Sequence, residues 1–426
     1  MTKREYPAVG ETLYESVLPN GLTVRVVPKP GYRRTSAVFA VNYGGADRRF
    51  TLDGSAVDTP AGVAHYLEHK MFDTPDGDAL MTLTAAGADP NAFTSMAMTA
   101  YHFDCTGRLD ENLRTLLSFV SVPYFTQESV DKERGIIAQE IRMYEDSPEF
   151  QVYERFMRCI CPEGSPLRDD VTGTVESIQS ITPALLYDCH RAFYRPSNMA
   201  LTVVGDADPA RVEDAALSLL PGERAEAPAR DYGDTDDLAP AGTFTETRME
   251  VAAPLFLFGC RVAAPPRGEA YLRERVTAGL ALRCLCGRSS PFYIDGYASG
   301  LLNATFSFDV EQAAGQRIAA FEGETSRDPR KVMDALTAAL RRVEADGFDE
   351  ALFERQKRAS LGGRVRALGN FHGLAVGLAE AAFAGYVPLD AFSVLGDITC
   401  AEASDWAVRH LRPERFALSI INPKEV

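Results

Sequence analysis

The feature that most constrains this chain is a repeat. Arg195-Pro-Ser-Asn-Met-Ala-Leu-Thr-Val-Val204 returns as Arg412-Pro-Glu-Arg-Phe-Ala-Leu-Ser-Ile-Ile421, at an offset of 217. Phe125-Thr-Gln-Glu-Ser-Val130 returns as Phe348-Asp-Glu-Ala-Leu-Phe353, at an offset of 223. Both offsets are close to half of the 426 residues, and a chain of this length ordinarily splits into more than one core. The expectation is two halves with the same order of strands and helices. Residues 221–242 are rich in Pro, Gly, Ala and Asp and have no apolar period, which reads as a linker. The expected division is therefore 1–220, a linker at 221–242, and 243–426.

Each half mixes strand and helix signals. Leu22-Thr-Val-Arg-Val-Val27, Ser36–Tyr43 and Ala200–Val204 read as strands, and Asn91–Phe103 as one extended strand. Residues 59–72, 77–90, 110–123, 126–144, 175–193, 209–220 and 329–346 read as helices.

Composition narrows the function. The net charge of −16 argues against nucleic acid or an anionic membrane surface as the main partner. No run approaches 18 apolar residues, and the first residues lead into no apolar stretch. The eight cysteines include no C-x-x-C pair, and reduced, buried thiols are expected of them. A soluble, cytoplasmic protein is the expectation.

The chemistry is not repeated. In Thr59–Phe72 the run His65-Tyr-Leu-Glu68-His69 puts two imidazoles one helical turn apart, with a carboxylate beside them. Two neutral imidazoles at that spacing can share a zinc ion, and the carboxylate can take a proton from the attacking water. This is the inverted H-x-x-E-H peptidase pattern. Thr59 and Pro60 suit the helix start. Gly62 weakens such a helix by about 1 kcal/mol relative to alanine, which close approach to another backbone would explain.

A two-histidine zinc site needs a third protein ligand. On the helix at 126–144, Glu133 and Glu140 stand almost two turns apart on one face, and Glu140 is the candidate; a solvated helical carboxylate is the alternative. Carried across at the offset of the Phe125 and Phe348 segments, Glu140 falls on Gly363, and no H-x-x-E-H follows residue 215. His372 and His410 stand alone in the sequence and are expected to be structural.

Gly62-Val-Ala-His65-Tyr-Leu-Glu68-His69, Asn91-Ala-Phe-Thr-Ser, Glu133-Arg-Gly-Ile-Ile-Ala-Gln-Glu140 and Arg195-Pro-Ser-Asn-Met…Val-Val-Gly-Asp206 together resemble the pitrilysin/insulinase metallopeptidases, which include the mitochondrial processing peptidases. His69-Lys-Met-Phe and Gln139-Glu-Ile-Arg-Met-Tyr-Glu-Asp-Ser-Pro148 resemble its bacterial branch named for EF-P 5-aminopentanol modification. The resemblance implies an α+β fold of two homologous repeats, each a mainly antiparallel sheet with helices packed on one face (a LuxS/MPP-like metallohydrolase fold). It implies one zinc ion per chain on His65, His69 and Glu140, with Glu68 as general base and later proton donor. Glu133 would be a carboxylate just outside the ligands. Asn91, Ala92, Phe93 and Thr94 would form an edge strand that pairs with the substrate backbone.

Active relatives carry an Arg and a Tyr in the non-catalytic repeat. Here those positions are Gly296 and Asn303. The resemblance therefore implies a homologous subunit without the zinc motif, or a homodimer. The leading expectation is a zinc endopeptidase acting on peptides or unstructured segments. The alternatives are a zinc-binding assembly subunit with little activity of its own and a different zinc hydrolase, such as an amidase.

Overall fold

A computed structural model describes residues 1–220 and 222–425; Pro221 of the expected linker and Val426 lie outside the described residues. The fold is α+β and contains two large sheets. The first is built from β1 (Thr2–Tyr6), β2 (Glu11–Val17), β3 (Thr23–Pro28), β4 (Thr35–Val41), β5 (Ala88–Thr94), β6 (Thr99–Cys105) and β7 (Met199–Gly205), in the order β1-β2-β3-β7-β4-β6-β5. Only β3 and β7 pair in parallel; the other neighbours are antiparallel. The second contains β8 (Phe244–Met249), β9 (Leu255–Val262), β10 (Ser307–Ala313), β11 (Gln316–Glu324) and β12 (Ala417–Pro423), in the order β8-β12-β9-β11-β10, with β8 and β12 parallel. In both sheets the repeated Arg-Pro segment leads directly into an interior strand, β7 or β12.

Alternation along the strands decides what each face of the first sheet meets. Val24, Val26, Phe39, Val41, Tyr101, Phe103, Leu201 and Val203 point to one face and form a single core with helices α1 (Val63–Met71), α2 (Leu109–Ser121), α3 (Gln127–Glu145) and α5 (Pro183–Phe193). Between α3 and α5, α4 (Pro148–Ile160) packs instead on β8, β9 and β12 of the second sheet. The later helices include α6 (Pro291–Ala298), α7 (Arg330–Asp346), α8 (Glu350–Ala367) and α9 (Phe371–Ala384). Of these, α9 packs on β4 and β7, covering the other face of the first sheet. It lies along one cross-strand row: its Ala375 carbonyl accepts from Thr202 Oγ1 at 2.8 Å and its Leu378 carbonyl from Arg25 Nη1 at 2.9 Å.

The compact units consequently interleave. One comprises Met1–Ile141, Asp170–Asp231 and Val365–Leu389; the other comprises Arg142–Asp169, Tyr232–Arg364 and Asp390–Val426. The division at 221–242 is an expectation from the sequence; packing instead groups the segments by which sheet they cover. Part of the expected linker is tied down. Ala229 and Asp231 bond to Thr51 and Arg49 at 2.9 Å each, beside the small hairpin Arg49–Leu52/Ser55–Asp58, and Arg230 pairs with Asp47 at 2.7 Å.

Several local expectations change. The extended strand at 91–103 is a hairpin, β5 and β6, because Ser95–Met98 turn back on themselves through the Ser95 and Met98 bonds. The helix at 77–90 shortens to Ala79–Ala85, since β5 already begins at Ala88. The helix at 175–193 divides into a short 3-10 turn, Ser177–Ser180, and α5, which Thr182 caps. All eight cysteines are unpaired, and seven are buried. Among the described residues no single helix is long and apolar enough to cross a membrane.

Candidate metal centre

The H-x-x-E-H run lies on α1, but the helix begins at Val63 rather than near Thr59. Thr59 Oγ1 donates to the Arg48 carbonyl instead of capping the first turn. Gly62 is the N-cap, at φ +95°, and a Cβ there would meet the Thr172 carbonyl oxygen at 2.5 Å. Glycine is thus required twice, by the left-handed backbone and by the close approach. Ser177 Oγ also donates to the Ala61 carbonyl at 2.8 Å, so the segment after Asp170 pins the start of α1.

His65 and His69 share one face of α1, with ring centroids 4.6 Å apart. Glu140, from the C-terminal half of α3, meets them: its two carboxylate oxygens lie 3.7 Å from His65 Nε2 and 3.7 Å from His69 Nε2. These are not hydrogen bonds. A tetrahedral ion with bonds of about 2.0–2.2 Å separates neighbouring donors by about 3.4 Å, and the donors of His65, His69 and Glu140 all lie within 4.8 Å of one another. The protonation state of His65 agrees with that use. Burial, then the neighbouring His69, drives the His65 pKa to about 3, so the ring is neutral and offers a lone pair. The donor set therefore fits a zinc ion: two imidazoles and one carboxylate, the three-protein-ligand set of a catalytic zinc site.

Around these donors stand three further groups. Glu133, almost two turns before Glu140 on the same helix face, approaches His69 Nδ1 at 3.1 Å. Burial opposes the charged form of His69, but the Glu133 bond and the charges of Glu68, Glu133 and Glu140 outweigh it and raise its pKa. Lys70, almost wholly buried, reaches Glu133 at 3.3 Å and Asp73 at 2.5 Å. Glu68 is buried, which raises its pKa, and its Oε2 accepts from Thr94 Oγ1 at 2.5 Å.

Of the sequence-derived site residues, the structure brings His65, Glu68, His69, Glu133, Glu140 and Thr94 together. Asn91, Ala92 and Phe93 lie on β5, the outermost strand of its sheet. Register places Thr94 and Ala92 on the α1 side with Thr99 and Tyr101, and Asn91 and Phe93 on the opposite side with His102 and Ala100.

Residues 53–169 match the family model described as Insulinase (Peptidase family M16), and residues 180–360 match the one described as Peptidase M16 inactive domain. The uncharacterized zinc protease YmfH of Bacillus subtilis (strain 168) is 36% identical over 99% of both chains. The chain belongs to the insulinase family, peptidase family M16. A crystal structure described as an M16-like peptidase, from Alicyclobacillus acidocaldarius, superposes with a TM-score of 0.92 at 31% identity, over 99% of this chain and 100% of that one. A Helicobacter pylori protease shares the fold, with a TM-score of 0.80 at 19% identity over 96% and 99% of the two chains. The inactive-domain match covers much of the half in which the H-x-x-E-H pattern is missing.

Two features of this M16 centre escaped sequence reasoning. Thr94 holds the candidate base rather than serving only as a strand residue, and Lys70 is tied to Glu133. Lysine immediately after the second histidine is visible in the sequence, but nothing there distinguishes a buried, paired lysine from a solvated one. The Gly296 position is also shaped by packing. On α6, a side chain at Gly296 would collide with Leu302, whose Cγ and Cδ1 lie 2.8 Å from the Cβ position.

Proposed function

We propose that this chain is a zinc-dependent endopeptidase that uses His65, His69 and Glu140 as metal ligands and Glu68 as its proton-transfer group. The observation that carries the reading is the convergence of those three donors beside Glu68, which precedes His69 on α1. A zinc ion held there supplies Lewis acidity, polarising a carbonyl and acidifying water. Thr94 occupies Oε2 of Glu68, which leaves Oε1 to take the proton of the attacking water and to return it to the leaving amine. The outer edge of β5 lies beside this group and suits an extended peptide that adds as one more strand, so peptides and unstructured segments are the proposed substrates.

Gly296 and Asn303, at the positions where active relatives are expected to carry an Arg and a Tyr, favour a second reading. In it the chain holds zinc but works with a homologous subunit that supplies the pair. One experiment separates the two: zinc content and peptide hydrolysis of purified wild type and Glu68→Gln, each alone. The first reading expects one zinc per chain in both, with hydrolysis reduced about 10²–10⁴-fold in the variant. Zinc with no cleavage by wild type would favour the second. Glu68→Gln cleaving as fast as wild type would remove Glu68 from the mechanism.

A further inference from the structure

We infer that His102 and His372 form a second, weaker site for a borderline divalent metal ion such as zinc, nickel or copper, held by two imidazoles between β6 and α9. The chain has six histidines. Four of them fall into two facing pairs. The rings of His65 and His69 are 4.6 Å apart at 61°; those of His102 and His372 are 4.3 Å apart at 51°. The second pair thus reproduces the ring geometry of the first, although its members come from opposite halves of the sequence. His190 and His410 are different, each stacked on an aromatic ring, Tyr194 or Trp406.

The polar atoms at the pair lack partners. His102 Nδ1, His372 Nδ1 and Asp104 Oδ1 are all buried without a hydrogen bond among the described residues. Asp104 lies two residues from His102 on β6, on the same face, and Asp89 stands opposite it on β5. Arg34 engages only the other Asp104 oxygen, at 2.5 Å. Three unsatisfied polar atoms at one part-buried seam are costly unless something occupies them, and a cation suits two imidazoles with the Asp104 carboxylate two residues along the strand. Burial, and then the facing His372, lowers the His102 pKa to about 4. That ring is therefore neutral at ordinary pH, as a metal ligand must be. Imidazole donors select zinc, copper and nickel over magnesium or calcium.

The site differs from the first in strength. Only His65, His69 and Glu140 form a three-donor group among the described residues. The His102–His372 ion would therefore keep water in its remaining positions and saturate at higher metal concentration. It would also lie on the face of the β5–β6 hairpin opposite the first centre, with His102 directly across from Asn91.

The test is metal stoichiometry of the full-length protein by equilibrium dialysis against zinc and against nickel. Wild type is expected to take two ions per chain, the second more weakly; His69→Ala, which disables the first centre, should retain the weaker one. Adding His372→Asn, or separately His102→Asn, to His69→Ala should abolish it while circular dichroism stays unchanged. Copper bound to His69→Ala should give an electron paramagnetic resonance signal split by two imidazole nitrogens. His69→Ala that binds no metal, or a second ion that survives both His102→Asn and His372→Asn, would overturn the inference. Failure of the first centre has a different signature, in which wild type and His69→Ala bind the same single ion.

Discussion

His69 owes its orientation to a buried chain of charges rather than to its own helix. A carboxylate at Nδ1 fixes the tautomer that leaves the Nε2 lone pair facing the other donors. Glu133 occupies that position at 3.1 Å, and Lys70, 2% exposed, holds its second oxygen at 3.3 Å. Glu133→Gln is expected to weaken zinc binding about 10–100-fold, and Lys70→Met to weaken it in the same direction by less. Zinc titration against a competing chelator measures both, and unchanged affinity in Glu133→Gln would place the orienting contact elsewhere. A second histidine governs stability instead of chemistry. His190 is buried, with Nε2 3.2 Å from the Val120 carbonyl, and burial lowers its pKa from 6.5 to about 4. Between those values the unfolded chain binds the proton and the folded one does not. The stability contribution is therefore fully present above pH 6.5 and is lost as pH falls toward 4. The shift corresponds to about 3 kcal/mol. Denaturant midpoints of the metal-free protein between pH 7 and pH 4 should fall less steeply in His190→Gln than in wild type.

At the scale of elements, the fold is legible in the sequence where a local rule and the packing agree. The helices at 126–144 and 329–346 have strong apolar stripes and appear as α3 and α7 nearly where periodicity puts them. Boundaries set by a contact distant in sequence are not. Thr59-Pro60 has the chemistry of a helix start, yet α1 waits until Val63 because Thr59 is bonded to Arg48 and the chain at Gly62 must pass the Thr172 carbonyl. The hairpin turn at Ser95–Met98 contains no glycine or proline to announce it. The metal donors were legible from i, i+4 spacing and a two-turn carboxylate pair, whereas the Thr94 and Lys70 contacts depend on which strand and helix come to lie beside α1. Gly62 is where such a distant contact can be tested. Gly62→Ala meets both a positive φ and a backbone oxygen at 2.5 Å, and should destabilise by about 2 kcal/mol. Because Gly62 sets the start of the helix that carries both histidines, the same variant should bind zinc more weakly. A denaturant midpoint and zinc affinity equal to wild type would show that the close approach relaxes freely.

At the scale of the whole molecule, the repeat and the packing give different partitions of one chain. Carried across at the offset that relates Phe125 to Phe348, α3 and α4 land on α8 and α9 to within a residue, so α4 and α9 are the same element of the two halves. Each covers the sheet built mainly by the opposite half: α4 lies on β8, β9 and β12, and α9 on β4 and β7. The exchange explains polar groups that would otherwise be misplaced. Arg25 and Thr202, 5% and 0% exposed, find their acceptors on α9 at Leu378 and Ala375, and Lys29 donates to the Leu368 carbonyl at 3.2 Å. A fragment ending at Asp231 keeps every strand of the first sheet and the whole candidate metal centre, but it loses α9. Its outer sheet face, with Val27, Val38 and Ala40 as well as the three donors, would then meet water. Burial of such a face and pairing of such donors are each worth kcal/mol, comparable with the entire stability of a domain. Residues 1–231 expressed alone should therefore not reach a stable, zinc-binding fold. Co-expression with residues 232–426 should restore both a cooperative unfolding transition and stoichiometric zinc. A fragment 1–231 that by itself unfolds cooperatively and binds zinc as tightly as the full chain would show that α9 is dispensable, and that the first half carries its fold without the exchange.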